Sequence, residues 1–190
     1  MEGRTGSRRA NALKGELSAG ASTTCRAPAE TVYDLLADLR SHLIWAGHRH
    51  KGNTRLVVVD APEGPAAVGT EFRTEGTDPM GRFTDASVVT EADRPRVLEF
   101  VTEAHLETKR GRGVDWTNVH RYELTPQPSG GCRIAYRVRI TRISELPGML
   151  AMFKVPGLSA VALKAAEGVA KRGVRNLARL AEERIGAVAG

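Results

Sequence analysis

The chain has 190 residues, of which 41% are hydrophobic and 26% are charged, and its formal net charge is +6. This length suits one domain with a sizeable core, and the composition excludes the collagen-like and disordered classes. The two cysteines, Cys25 and Cys132, are too few for a disulfide framework and lack the CxxC spacing of zinc and redox sites, so we expect free thiols.

The positive charge is concentrated at the two ends of the chain. Residues 1–16 are rich in Gly, Ser, Arg and Asn without an apolar period, which predicts a disordered basic arm before a single domain at 17–190. This arm lacks the apolar run of a signal peptide, so we expect a cytoplasmic protein. The basic residues from Ser159 onward have no nucleic-acid recognition motif beside them, so we expect a solvated face and no nucleic-acid partner.

The first predicted elements are a strand and a bent helical segment. Residues 18–26 contain ASTTC, which is small and β-branched and predicts a strand that ends before Pro28. A second short helical piece, from Ser41 to Trp45, closes the segment from Pro28 to Trp45, which we call the clasp. Between this strand and the second helical piece, apolar residues recur at helical spacing and predict a short amphipathic helix: Val32, Leu35, Leu36 and Leu39.

Six further strand-like segments follow, separated by turn signals rich in Gly, Pro and Asp. Residues 159–189 then change to a helical period that continues for about eight turns, which makes a rod of roughly 45 Å. The strand-like segments predict an antiparallel meander at residues 54–59, 69–75, 82–90, 97–106, 114–124 and 133–143.

Alternation with period two assigns the faces of the last two strands. Tyr136 and Val138 share one side of the last strand, whereas Arg133 and Arg137 share the other side and must face water. The covered face of the strand before it carries polar as well as apolar side chains: Trp116, Asn118, His120, Tyr122 and Leu124.

One sheet and one long helix must pack together, which predicts an α+β fold. We expect a seven-stranded curved antiparallel sheet wrapped around a long C-terminal helix, with two short helices between strands 1 and 2. This order resembles the START/SRPBCC helix-grip superfamily, which includes pollen-allergen-like proteins, polyketide cyclases and lipid-transfer domains. APAETVYDLLADLRSHLIW at the clasp, VGTEF at 68–72, SVVTEADRPRVLEF at 87–100 and GVRNLARLAEER near the end are similar to actinobacterial members of its polyketide cyclase/dehydrase family.

The resemblance covers residues 18–186 and implies an apolar cavity between the sheet and the long helix. It further implies that the clasp plugs one end of the sheet and that Trp45 lies where helix, sheet and ligand meet, although Trp45 as an ordinary core residue is an equal alternative. It also implies that the first and last strands pair, which makes Cys25 and Cys132 close neighbours.

An aromatic lining with isolated hydrogen-bonding groups suits a flat or lipid-like guest that carries oxygen. We therefore predict that a small hydrophobic ligand is the partner of this chain. The predicted ligand-binding residues are Trp45, Phe72, Phe83, Ser87, Phe100, Trp116, Asn118, Tyr122, Tyr136, Met149, Met152 and Phe153.

His120 and Asp85 are the candidate acid-base residues on this wall. An imidazole titrates near neutral pH and could move a proton at a keto or enol oxygen, and Asp85 could orient it or act alone. His48 and His50 have no third ligand nearby, so no metal site is predicted. The Gly111-Arg-Gly113 stretch reads as a hairpin turn without a P-loop lysine, so no nucleotide or other cofactor is predicted.

Residues 146–158 are too apolar to be an idle exposed loop. We expect a lid over the cavity mouth, or a segment that touches a membrane surface transiently. The leading functional hypothesis is a carrier or sensor of a hydrophobic molecule. The alternatives are a polyketide cyclase or dehydratase that uses His120, with Tyr122 or Asn118 holding a carbonyl, and an interaction module that uses the basic C-terminal helix. Ligand identity and oligomeric state stay open.

Overall fold

The computed structural model describes residues 17–48, 55–128, 130–143 and 158–188. The predicted arm at 1–16 and residues 144–157, which hold most of the predicted lid, lie outside the described residues. The elements are β1 (Leu17–Cys25), α1 (Ala29–Ala37), a 3-10 turn (Leu39–Ser41), a π-helical turn (Leu43–His48), β2 (Arg55–Asp60), β3 (Glu71–Thr77), β4 (Gly81–Asp93), β5 (Val97–Thr108), β6 (Gly113–Pro126), β7 (Cys132–Ile143) and α2 (Leu158–Val188).

The described strands form one seven-stranded antiparallel sheet in the order β1-β7-β6-β5-β4-β3-β2. This order confirms the predicted α+β helix-grip arrangement, and each strand begins and ends within a few residues of its predicted bounds. Gly111 and Gly130 lie in the turns of the β5–β6 and β6–β7 hairpins with φ of 70° and 89°. Only glycine adopts such a φ without strain, so these two positions fix where the chain reverses.

Bulges curve the sheet. The pairing register skips Thr90 on β4, between Val89 and Glu91, and it skips Thr141 on β7, opposite Thr117 and Asn118, so β4 and β7 each carry an extra residue there. A bulge bends its strand and increases the local twist. The sheet therefore has a concave face, which the clasp and α2 partly cover, and a convex face.

The helix α2 packs on β1, β7 and the clasp. Its 31 residues make a rod of about 46 Å at 1.5 Å per residue. The helical period of residues 159–189 predicts one buried stripe that includes Ala166, Ala170 and Val174. Ala166 is exposed instead, so burial of the described side chains begins near Ala170. The buried face consists mainly of small residues, which let the helix approach the sheet closely: Ala170, Val174, Leu177, Ala178 and Ala181.

The clasp begins at α1, directly after Pro28, whose fixed φ suits the start of a helix. Leu35 and Leu36 are completely buried on its inner face. The second predicted helix is two consecutive short turns instead, one 3-10 and one π-helical. No helix among the described residues combines the length and the hydropathy that crossing a membrane requires.

The end of β1 meets the start of β7, and Cys25 lies directly opposite Cys132. This confirms the predicted neighbourhood of the two cysteines. Both are buried and free, and Cys25 Sγ lies 3.5 Å from the carbonyl oxygen of Ala178 on α2. The thiols therefore belong to the packed junction between the sheet and the long helix.

The convex face is charged, as the alternation predicts. Arg133 and Arg137 are exposed on β7. On β6, Arg121 forms ion pairs with Glu123 on its own strand, with Glu99 on the neighbouring β5 and with Glu91 one strand further away on β4. Ion pairs at such a solvated surface each contribute little to stability.

Candidate functional site

The aromatic cluster on the concave face consists of seven rings from the clasp and from four strands. Phe100 on β5 is its centre, with Phe72 at 5.2 Å and His120 stacked at 4.8 Å between ring centroids. Tyr122 and Tyr136 lie 4.6 Å apart on β6 and β7. The cluster comprises His42, Trp45, Phe72, Phe100, His120, Tyr122 and Tyr136.

Strand register produces this cluster. Phe100 pairs with His120 across β5 and β6, and Tyr122 pairs with Tyr136 across β6 and β7. Residues directly opposite one another on antiparallel strands have Cβ atoms about 5 Å apart, which is within ring contact. Because alternate residues share a face, both pairs point to the concave side.

Trp45 joins the clasp, the sheet and α2. Its side chain is 3% exposed and meets Tyr122 edge to face at 6.2 Å. On α2, Asn176 donates a hydrogen bond from Nδ2 to the carbonyl oxygen of Trp45 at 3.0 Å. A Cβ on Gly173 of α2 would lie 3.8 Å from Cζ3 of the indole. The indole Nε1 is buried and has no hydrogen-bond partner among the described residues.

His42 belongs to the cluster but was not predicted. It is 4% exposed, lies 4.8 Å from Trp45, and its Nε2 donates to the carbonyl oxygen of Leu36 at 3.1 Å. Burial lowers the pKa of His42 to about 4, so the ring is neutral at pH 7. The sequence signal that could have found His42 is its spacing of three residues from Trp45 in a short helical piece, because residues i and i+3 share a helix face.

His120 has Tyr136 as its hydrogen-bond partner. Nδ1 of His120 lies 2.7 Å from the hydroxyl of Tyr136. Burial, and secondarily the charge of His42, lowers the pKa of His120 to about 4, while burial raises the pKa of Tyr136. Both groups are therefore uncharged at neutral pH. The predicted orienting residue, Asp85, is bonded to Thr74 instead.

A polar band lies beside the aromatic cluster on the same concave face. Asp85 pairs with Thr74 on one side and Ala104 on the other, and Ser87 and Asn118 both pair with Thr102. We use the name polar band for Thr74, Asp85, Ser87, Thr102 and Asn118.

Two hydrogen bonds satisfy part of the polar band. Thr74 Oγ1 donates to Asp85 Oδ2 at 3.3 Å, and the hydroxyls of Ser87 and Thr102 are 2.9 Å apart. Asp85 Oδ1 and Asn118 Oδ1 are buried without a partner among the described residues. Burial raises the pKa of Asp85 to about 6, and the bond from Thr74 lowers it only in part.

The remaining predicted residues fall into two groups. Trp116 and Phe83 lie on the concave face beyond the polar band, opposite Ala104 and Leu106 on β5, and the ring of Phe83 covers Gly76. Met149, Met152 and Phe153 lie outside the described residues.

The described residues do not supply a metal centre. Within the described ranges, His, Cys, Asp and Glu do not gather in groups of three or more that could hold an ion. Of the two histidines without a third ligand in the sequence, His48 and His50, the second lies outside those ranges. A shallow cleft of about 220 Å³ between Asp60–Pro62 and Glu71–Arg73 is open to solvent, and it shares only Phe72 with the aromatic cluster.

The fold and this wall define a helix-grip protein with a mixed aromatic and polar concave face. Residues 17–182 match the family described as polyketide cyclase/dehydrase and lipid transport. Because this match spans most of the chain, the protein belongs to that family, within the START/SRPBCC helix-grip superfamily. The family and the fold together support, in general terms, a protein that binds hydrophobic ligands.

Solved structures show the same fold at low sequence identity. A protein from Chromobacterium violaceum aligns with a TM-score of 0.54 at 14% identity, covering 87% of this chain and 96% of that one. An uncharacterised protein from Rhizobium leguminosarum aligns with a TM-score of 0.57 at 13% identity, covering 90% and 96%. Ginseng major latex-like protein 151 from Panax ginseng aligns with a TM-score of 0.54 at 11% identity, covering 86% and 96%. No curated protein matches the chain.

Proposed function

We propose that this chain binds one small, mainly apolar molecule that carries oxygen, and that it acts as a carrier or sensor of that molecule. The guest lies against the concave face, on the aromatic cluster and the polar band. Aromatic rings supply apolar area for affinity, and a few polar atoms set the orientation, as in most small-molecule sites. Of the predicted binding residues, Trp45, Phe100 and Tyr122 form the apolar contact, and Asn118 and Ser87 belong to the polar part.

The observation that carries this proposal is a set of buried polar atoms without partners. Trp45 Nε1, Asp85 Oδ1 and Asn118 Oδ1 are all buried and unbonded among the described residues. Each such atom costs about 1–3 kcal/mol, and folded proteins leave few of them. A guest with both accepting and donating oxygen atoms satisfies them, with Trp45 Nε1 donating to an accepting oxygen.

Intrinsic fluorescence offers a direct assay, because the chain has two tryptophans and both are on the predicted wall. Protein purified from its own host is analysed by native mass spectrometry for a co-purifying apolar compound, and a panel of aromatic and lipid compounds is titrated against tryptophan emission. The variants Trp45→Phe and Trp116→Phe assign the signal to one ring, and Trp45→Phe also removes the indole donor. We expect saturable binding that Trp45→Phe weakens. Protein that leaves its host empty and gives no saturable signal with any compound contradicts the proposal.

A second candidate function is an enzyme of the cyclase or dehydratase type. The hydrogen bond between His120 and Tyr136 supports it, since a bonded imidazole and phenol at an apolar wall can exchange a proton with a carbonyl or enol oxygen. The lowered pKa of His120 argues against a strong general base at neutral pH. His120→Gln and Tyr136→Phe separate the two candidates: loss of turnover with unchanged affinity supports the enzyme, and a modest change in affinity alone supports the carrier.

A further inference from the structure

The polar band offers its guest hydrogen-bond acceptors. The hydroxyls of Ser87 and Thr102 bond each other, and the hydroxyl of Thr74 is directed to Asp85 Oδ2. The atoms left over, Asp85 Oδ1 and Asn118 Oδ1, are a carboxyl oxygen and an amide carbonyl oxygen. Whichever way the Asn118 amide is turned, the ionised carboxylate of Asp85 can only accept.

Among the residues that the structure describes, no cation lies beside Asp85. Its cross-strand neighbours are Thr74 and Ala104, and the residues on either side of it along the same face of β4 are Phe83 and Ser87. The raised pKa of Asp85 has burial as its main cause, without a contribution from a nearby positive charge. An anionic group placed here would therefore meet a carboxylate, and no described cation would offset the repulsion. A group that only accepts hydrogen bonds would leave Oδ1 unsatisfied.

We infer that the polar end of the guest is an uncharged hydroxyl, as in an alcohol or a phenol, that donates its proton to Asp85 Oδ1. This inference rests on the proposed function and narrows it, because it excludes fatty acids and other guests whose buried end is a carboxylate or a phosphate. A hydroxyl fits better than an ammonium group. It has a single proton to place, whereas an ammonium would bring three donors to a band in which two acceptor atoms lack a partner among the described residues.

Three naphthalene probes with the same ring system test the inference by isothermal titration calorimetry at pH 7.5. They are 2-naphthol, which donates, 2-methoxynaphthalene, which only accepts, and 2-naphthoate, which is anionic. A hydrogen bond to a charged group is stronger than one between neutral groups, so we expect 2-naphthol to bind at least about tenfold tighter than either of the others. This comparison uses the unsubstituted protein and needs no variant to fold.

Two variants then locate the contact. Asp85→Asn keeps the shape of the side chain and removes the charge, so the affinity for 2-naphthol falls about tenfold while that for 2-methoxynaphthalene stays within about threefold. Asp60→Asn makes the same chemical change at an exposed position on β2 and leaves all affinities unchanged.

The possible failures are distinguishable. Equal binding of 2-naphthol and 2-methoxynaphthalene overturns the inference and indicates that water satisfies Asp85, and tighter binding of 2-naphthoate overturns it outright. In both cases the proposed site stands. A preference for 2-naphthol that survives Asp85→Asn also overturns it. If none of the three probes binds, the inference is wrong. If no compound of the wider panel changes the tryptophan emission either, the proposed function is wrong as well.

Discussion

Asp85→Asn should make the free protein more stable at neutral pH, because the carboxylate is held where it is poorly solvated. Burial raises the pKa of Asp85 from its ordinary value of 3.8 to about 6. Each tenfold change in a proton equilibrium is worth about 1.4 kcal/mol, so ionised Asp85 costs the folded state about 3 kcal/mol above pH 6. The asparagine can still accept the bond from Thr74 and carries no charge.

The sign of the pH dependence follows from the direction of the shift. Below about pH 4 the side chain is protonated in the folded and unfolded states, and it costs nothing. Between about pH 4 and pH 6 the unfolded chain ionises first, so the wild-type protein loses stability as the pH rises. Above about pH 6 Asp85 is ionised in the folded state as well, and the stability of the wild-type protein falls no further. The advantage of Asp85→Asn therefore grows from near zero at pH 4 to about 2–3 kcal/mol at pH 7.5.

Urea unfolding followed by far-UV circular dichroism at several pH values between 4.5 and 8 measures this difference. Asp60→Asn serves as the control for removing one negative charge from the surface. A variant that is less stable than the wild type at pH 7.5, or whose advantage does not change with pH, would refute the account of Asp85 as a desolvated carboxylate. A group retained at such a cost is typical of a binding position, where function is favoured over stability.

Two further predictions concern the packing around the site. Gly173→Ala and Gly168→Ala, both in α2, should each stabilise the protein by about 0.5–1 kcal/mol in thermal unfolding, because alanine favours helix and both added methyl groups have room. If only Gly173→Ala destabilises the protein, the indole of Trp45 lies closer than 3.8 Å to a Cβ at this position. Cys25 and Cys132 are 3% and 0% exposed, so Ellman's reagent should react with both thiols only after the protein unfolds. Rapid reaction of the folded protein would contradict the buried β1–β7 junction.

Much of the fold was predictable from local pattern. Period-two alternation placed Tyr136 and His120 on the covered face and Arg133 on the exposed face, because successive side chains of a strand must point to opposite sides. The intervals of three and four residues from Val32 to Leu35 and Leu36 predicted α1, because residues so spaced lie on one face of a helix. The resemblance, rather than the pattern, supplied the pairing of β1 with β7 that sets Cys25 opposite Cys132.

The partners within the site were not predictable in this way. His42 sits in a short turn whose burial depends on Phe72 and Phe100, which are far away in sequence. The bond between His120 and Tyr136 joins two side chains on neighbouring strands, and the alternation pattern gives their shared face but not their rotamers.

The sequence by itself determined which residues face inward, since side-chain alternation and helical spacing are properties of the local backbone. Only the tertiary structure decided which inward polar atoms find partners. Strand register brought Thr74 to Asp85 and Thr102 to Ser87, and it left Asp85 Oδ1, Asn118 Oδ1 and Trp45 Nε1 unbonded among the described residues. Hydrogen bonding depends on distances of a few tenths of an ångström between strands that are remote in the chain, and local sequence does not encode those distances.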